Sequence, residues 1–366
     1  MSAPEFLTPA QSRARRELAR IRRRRRMAGV ALAAAVVIVA AVVLVVSGVG
    51  SDGGGATNEP ATKTSSGAVH VEGTKSSSPL SPDGLPLSAP AFVLKGVSTP
   101  ASDPVQIDFK TPPRAGLLFN LDSGQVLWAH DPHERVRIAS LTKMMTALLT
   151  VKSTQPTDHV LVTKAAVDSA GSKVGVLPLG KHVRAETMLY GLLLPSGNDA
   201  AIALAQHVAG SVKAFVQRMN EEAAKLGMAC TRYSSPSGYF DAGNFSCAAD
   251  LALLAHVDIE QRRIARIVRT YSAVLPFPIK GGRLYLYNNN PLLIYRYPGT
   301  TGMKTGFTDA AGRCLVATAE RDGVRLGVVV LNSDAPGTQA RQLLDRGFDD
   351  VYHLPKVSEP PIPPGA

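Results

Sequence analysis

The stretch IASLTKMMTALLT, residues 138–150, sets a serine three residues before a lysine. Apolar residues follow at helical spacing: Met144, Met145, Ala147 and Leu148. Three residues are most of one helical turn, so Ser140 and Lys143 are neighbours on one face. A Ser N-cap followed by a solvated Lys would leave the same four letters, and S-x-x-K alone is weak evidence. Whether this helix is an ordinary core element or the centre of a catalytic fold depends on what the flanking chain supplies.

Charge and hydropathy outside it are unevenly spread. The 366 residues carry a net +11. Residues 1–26 hold nine Arg against Glu5 and Glu17, so +7 belongs to this short tail and only +4 to the rest. That distribution excludes a basic nucleic-acid binder. Residues 27–50, MAGVALAAAVVIVAAVVLVVSGVG, contain no charge. As a helix they rise roughly 36 Å, enough to cross a hydrocarbon core of about 30 Å. Arg clustered before them predicts a cytoplasmic tail (1–26) and a single-pass anchor (27–50) in the cell membrane, with the bulk of the chain extracytoplasmic. A cleaved signal peptide is the competing reading, but its apolar core is usually about 7–15 residues and ends in an A-x-A-like site, absent from SGVGSDGGG.

Residues 51–104 are rich in Gly, Ser, Thr and Pro and read as a disordered linker. Folded character is expected over 105–353, followed by a disordered Pro-rich tail, 354–366. AGLLFNL, DSG and QVLWAHD read as a hairpin. Helices follow at AETMLYGLLL, NDAAIALAQHVAG (broken from the first at PSG), SVKAFVQRMNEEAAKLG and AADLALLAHV. GRLYLYN, MKTGFT and GRCLVATAERDGVRLGVVVLN read as strands, the last two joined by a turn at Arg321–Gly323, and TQARQLLDRGFDDVY as a closing helix. Hairpins at both ends with helices between imply one antiparallel sheet completed by the two ends of the domain, with a helical middle.

Three cysteines do not describe a disulfide scaffold. Cys314 reads as a small apolar residue of a buried strand. Cys230 and Cys247 are open to pairing, which the sequence leaves undecided. With no H-E-x-x-H and no Cys/His cluster, neither a metal site nor a cofactor is expected.

Two further stretches change the weight of SLTK. PSGN, residues 195–198, falls in the break between two helices, and GMKTGFT, residues 302–308, in a strand. Together they give S-x-x-K, then S-x-N 56 residues later, then K-T-G 108 residues after that. This order, on these elements, is that of the penicillin-recognising serine enzymes. With SPSGYFDAGNFSCAADLALLA and GTTGMKTGFTDAAGRCLVATA beside them, the chain resembles the low-molecular-mass D-alanyl-D-alanine carboxypeptidases over about residues 100–350. The resemblance implies an α/β (α+β) fold of the serine β-lactamase/DD-peptidase type: a five-stranded antiparallel sheet flanked by helices, plus a helical lobe. It implies peptidoglycan stem peptides as substrates and β-lactams as covalent inhibitors.

The residue types suit acyl transfer, which needs a nucleophile, a base, an oxyanion hole and a substrate anchor. Ser140 is the expected nucleophile, at a helix start where backbone N–H groups are free. Lys143 is its base if the amine is neutral. A free Lys titrates near pH 10.4, so burial and a second cation, Lys304, must bring it close to neutrality. Ser196 is expected to relay the proton to the leaving amine, and Asn198 to hold the substrate amide and orient Lys143. Thr305 is expected to bind the terminal carboxylate, and Gly306 to let the substrate lie against the strand. The resemblance implies an oxyanion hole from the N–H groups of Ser140 and Phe307.

Relatives of this kind often carry an Arg after the last sheet strand. Here LNSDAPGTQAR puts Pro336 or a neighbour at that place, with Arg341 a turn or more late. A class A β-lactamase would need a Glu to activate the deacylating water; Glu186 is the only acidic residue between Gly171 and Ser196. A non-catalytic wall-associated penicillin-binding protein would not need both serines and both lysines.

Overall fold

A computed structural model describes residues 79–96, 103–239 and 243–356. The expected tail 1–26 and anchor 27–50 lie outside the described residues, as do 51–78 and 357–366. Among the described residues no helix is long and apolar enough to cross a membrane.

In chain order the main elements are β1 (Ala115–Asn120), β2 (Val126–His130), α1 (Thr142–Ser153), α2 (Ala185–Leu193), α3 (Asn198–Ala209), α4 (Val212–Lys225), α5 (Ala248–Glu260), α6 (Arg262–Val268), β3 (Ser272–Pro276), β4 (Arg283–Tyr287), β5 (Thr300–Thr308), β6 (Gly312–Arg321), β7 (Val324–Ser333) and α7 (Pro336–Arg346). The five-stranded sheet has the order β2-β1-β7-β6-β5. Its β1–β7 pairing, Ala115 opposite Leu331 through Asn120 opposite Leu326, joins the first strand of the domain to its last. All pairings in the sheet are antiparallel.

The apolar runs of β6 and β7 are buried on both faces, because helices cover both sides. Val316, Val329 and Leu331 point into the core shared with α1–α6. Leu315, Val328 and Val330 point to the core closed by Leu343 and Leu344 of α7. The alternation of strand side chains therefore feeds two cores from one sheet. β3 and β4 form a separate two-stranded ribbon, so GRLYLYN does not join the main sheet.

The expectation of a structureless linker over 51–104 does not hold for residues 79–96. The Lys95 N–H donates to Gly124 O at 2.8 Å and Lys95 O accepts from Val126 N at 2.9 Å. Phe92 stacks on His256 with ring centroids 3.9 Å apart, and Leu94 packs on the core. A few apolar residues in a Pro/Ser-rich context suffice here because the domain supplies the other half of each contact. Leu354, assigned to the Pro-rich tail, likewise packs on the α7 core, its N–H donating to Phe348 O.

Candidate active site

Ser140 lies in a 3-10 turn, Ala139–Leu141, that runs directly into α1. Ala139 has a φ of 46°, unfavourable for a residue with a Cβ, and the Thr142 hydroxyl fastens it by donating to Ala139 O at 2.8 Å. Met144, Met145, Ala147 and Leu148 are buried, so packing holds this helix in register. Strain at the turn is offset by the core beneath it.

Lys143 is fully buried. Its Nζ lies 2.8 Å from Ser140 Oγ, 2.7 Å from Asn198 Oδ1 and 2.8 Å from Ser237 O. Burial holds its amine well below the ordinary value, the charge of Lys304 lowers it further, and the Asp199 carboxylate opposes both. A neutral amine has two N–H groups and one lone pair. Asn198 Oδ1 and Ser237 O can only accept, because Asn198 Nδ2 donates to Ala170 O at 2.6 Å. The two N–H groups therefore go to those oxygens, and the lone pair faces the Ser140 hydroxyl. In that state the amine is aimed to take the Ser140 proton.

Ser196 sits just before α3 with φ 68°, and its Oγ is buried without a hydrogen-bond partner among the described residues. Asp199, three residues on and in the first turn of α3, accepts from the N–H groups of Val174 and Gly175 and so ties down the loop facing the cavity. From the other side, edge strand β5 brings Lys304, Thr305, Gly306 and Phe307. Lys304 is 2 % exposed, its Nζ donates to Thr305 O at 2.8 Å, and burial pushes its amine down to about 7. A Cβ on Gly306 would lie 2.8 Å from Ile138 O and 3.2 Å from Ser140 N, so only glycine allows β5 to approach the turn this closely. Ser140, Ser196, Thr305, Gly306 and Phe307 line one cavity of about 380 Å³. Ser140, Asn198 and Phe307 line a second, contiguous one through Ser140. All eight residues singled out in the sequence thus converge on one place.

The sequence reading missed the contribution of the segment Pro236–Tyr239. Pro236 O accepts from the Thr146 hydroxyl at 2.7 Å, Ser237 O accepts from Lys143, and Tyr239 lines the second cavity. Gly238 is required between them, since a Cβ there would come within 1.9 Å of Ala139 O. SPSG belongs to the stretch that carries the resemblance, and its role here is carried by backbone oxygens. Cys230 and Cys247, at the two ends of this loop, form a disulfide. Their sulfurs also lie near His133, and the bond occupies the sulfurs of both.

Pro336 does line the first cavity, whereas Arg341 forms an ion pair with Asp345 and is not in its lining. Arg313, not singled out in the sequence, is. Glu186 forms ion pairs with Arg263 and Arg266 and belongs to neither cavity lining.

The sequence profile described as D-alanyl-D-alanine carboxypeptidase, peptidase S11, matches residues 103–335. A D-alanyl-D-alanine carboxypeptidase of Bacillus subtilis is 32% identical over 250 residues, 66% of this chain and 64% of that protein. The chain therefore spans less than two thirds of that relative. The crystal structure of a D-alanyl-D-alanine carboxypeptidase from Mycobacterium tuberculosis matches with a TM-score of 0.63 at 32% identity, covering 72% of this chain and 99% of the other. That of the Streptomyces K15 DD-transpeptidase matches with a TM-score of 0.62 at 29% identity, covering 66% and 99%.

Proposed function

The chain belongs to the D-alanyl-D-alanine carboxypeptidase family, and from that premise we propose that it is a serine-type D-Ala-D-Ala carboxypeptidase acting on peptidoglycan stem peptides through an acyl-enzyme on Ser140. The observation that carries the reading is the buried Lys143 amine, held by Asn198 Oδ1 and Ser237 O with Ser140 Oγ as its third neighbour.

Ser140 Oγ attacks the carbonyl carbon of the penultimate D-Ala while Lys143 takes its proton. The Ser140 and Phe307 N–H groups receive the developing oxyanion. The C–N bond breaks as a proton passes through the Ser196 hydroxyl to the leaving amine. The second amide hydrogen of Asn198 is left for the substrate, and Thr305 binds its terminal carboxylate. Water then adds to the acyl carbon and releases Ser140. A β-lactam follows the same first step and stays attached, because its leaving amine remains tethered. Glu186, neutralised by two arginines, does not support the β-lactamase alternative.

We further propose that residues 27–50 anchor the protein in the cell membrane, with the N-terminus cytoplasmic and the catalytic domain outside. The disulfide supports an oxidising, extracytoplasmic setting for the domain.

The test is intact mass of the ectodomain after incubation with a fluorescent penicillin, with release of D-alanine from a D-Ala-D-Ala peptide. Wild type should gain one covalent adduct and release D-alanine, and Ser140→Ala should do neither. Undiminished labelling of Ser140→Ala would sink the assignment. Fast turnover of nitrocefin would favour a β-lactamase, and labelling without peptide cleavage a non-catalytic penicillin-binding role.

A further inference from the structure

Of the residues that line the cavity of about 380 Å³ beside Ser140, Arg313 alone is charged. The two lysines of the site do not take that place. Lys143 faces Ser140 from within the core, and Lys304 is buried with its Nζ on Thr305 O. Burial also pushes the Lys304 amine down to about 7.

The sheet aims Arg313 into this cavity. On β5 and β6, Phe307 pairs with Arg313 and Thr305 with Leu315, so these four side chains leave the sheet on one face. Arg313 is thus the diagonal neighbour of Thr305, within reach of a long side chain. Between Arg313 and Leu315 the pairing with β7 slips: Arg313 faces Ser333, while Leu315 faces Val330. The extra residue on β7 is a bulge, with Asn332 at φ 49°, and bulges re-aim the side chains beside them. The guanidinium is also only lightly held: its Nη1 donates to Asp334 O across a long 3.4 Å, and among the described residues it forms no ion pair. A guanidinium carries five donors in a fixed fork that matches a carboxylate.

We infer that Arg313 grips the free carboxylate of the leaving residue and thereby makes the site select chain ends over internal peptide bonds. The inference rests on the carboxypeptidase reading above and names the residue that gives it specificity. Thr305 supplies a neutral hydrogen bond to the same carboxylate, and Arg313 supplies the charge. The apolar wall formed by Leu315, Ile294 and Pro336 suits the small methyl side chain of D-alanine.

The test compares kcat/KM for a tripeptide ending in D-Ala-D-Ala and for the same tripeptide with a C-terminal amide. Wild type, Arg313→Gln and Arg313→Lys are measured, each after a thermal melt and penicillin labelling. Wild type should prefer the free acid. Arg313→Gln should lose about 10- to 150-fold on the acid and less than about threefold on the amide, the range of a charge-assisted hydrogen bond. Arg313→Lys should recover part of the acid preference. An equal loss on both peptides, no loss on either, or a wild type indifferent to the amide would overturn the role of Arg313. Those outcomes leave the enzyme reading standing as long as wild type is labelled and cleaves. A wild type that is neither labelled by penicillin nor active on peptide overturns both.

Discussion

Adding one methyl group to Gly306 tests whether contact between the sheet and the Ser140 turn sets the reaction geometry. The Cβ of Gly306→Ala would stand 2.8 Å from Ile138 O, 3.2 Å from Ser140 N and 3.3 Å from Leu141 N. All three are backbone atoms, so no side chain can swing away. Ordinary contact begins at 3.4 Å, so β5 and the turn must separate by about 0.6 Å. Overpacking of this kind costs about 1–3 kcal/mol. For a domain of this size that lowers Tm by roughly 2–12 °C. The larger effect falls on chemistry, because the displaced atoms include the N–H of Ser140. Loss of one oxyanion donor costs about 10²–10³ in rate, and a misplacement of about 1 Å costs about 10². We expect acylation by fluorescent penicillin to slow about 100-fold, with Ser140 still the residue labelled. Gly323→Ala serves as the control. Gly323 has a positive φ, 78°, and nothing lies within 4 Å of its Cβ, so a methyl group there strains the backbone without pushing any element aside. It should lose stability and keep the wild-type acylation rate. A Gly306→Ala protein acylated within about threefold of wild type would refute the reasoning, since the approach would then have slack.

Two other outcomes follow from the charges and the loop. Lys143 must be neutral to act as base, so activity is lost as pH falls through its pKa. Removing the cation in Lys304→Gln raises that pKa and should move the acid limb of kcat/KM to higher pH; removing the opposing carboxylate in Asp199→Asn should move it lower. Shifts in the same direction for both variants would contradict this, and the measurement is the pH–rate profile rather than the rate at one pH. The Cys230–Cys247 bond spans 17 residues, a loop whose closure is worth about 3 kcal/mol. The double Ser variant should therefore melt roughly 6–12 °C lower and be acylated more slowly, since the loop carries Ser237 O. An unchanged melting curve on substitution or reduction would show that other contacts fix the loop.

Much of this molecule was legible along the chain, where the signal is local. Ser140 and Lys143 are neighbours because three residues make most of a turn, and the apolar spacing behind them fixes which face is buried. The continuous apolar runs of β6 and β7, joined at Arg321–Gly323, imply a sheet covered on both sides. The expected pairing of the first strand with the last is the β1–β7 register. PSGN and KTG converge on Ser140 because their order and elements match a known arrangement; their residue types alone do not bring them together.

Tertiary structure decided what depends on partners far apart in sequence. Lys143 is completed by Ser237 O, 94 residues away, and a backbone carbonyl leaves no mark in the letters of a sequence. Residues 79–96 look like linker because their few apolar side chains gain a partner surface only once the domain exists. Cys230 and Cys247 became a pair when the loop between them returned to α5. Spacing draws attention to Arg341 and not to Arg313. One faces Asp345 along its own helix, and a bulge in the neighbouring strand turns the other toward the cavity. Local spacing fixes which groups share a turn or a strand face, whereas the direction in which a group meets a distant backbone is set only when the sheet, the turn and the helical lobe pack together.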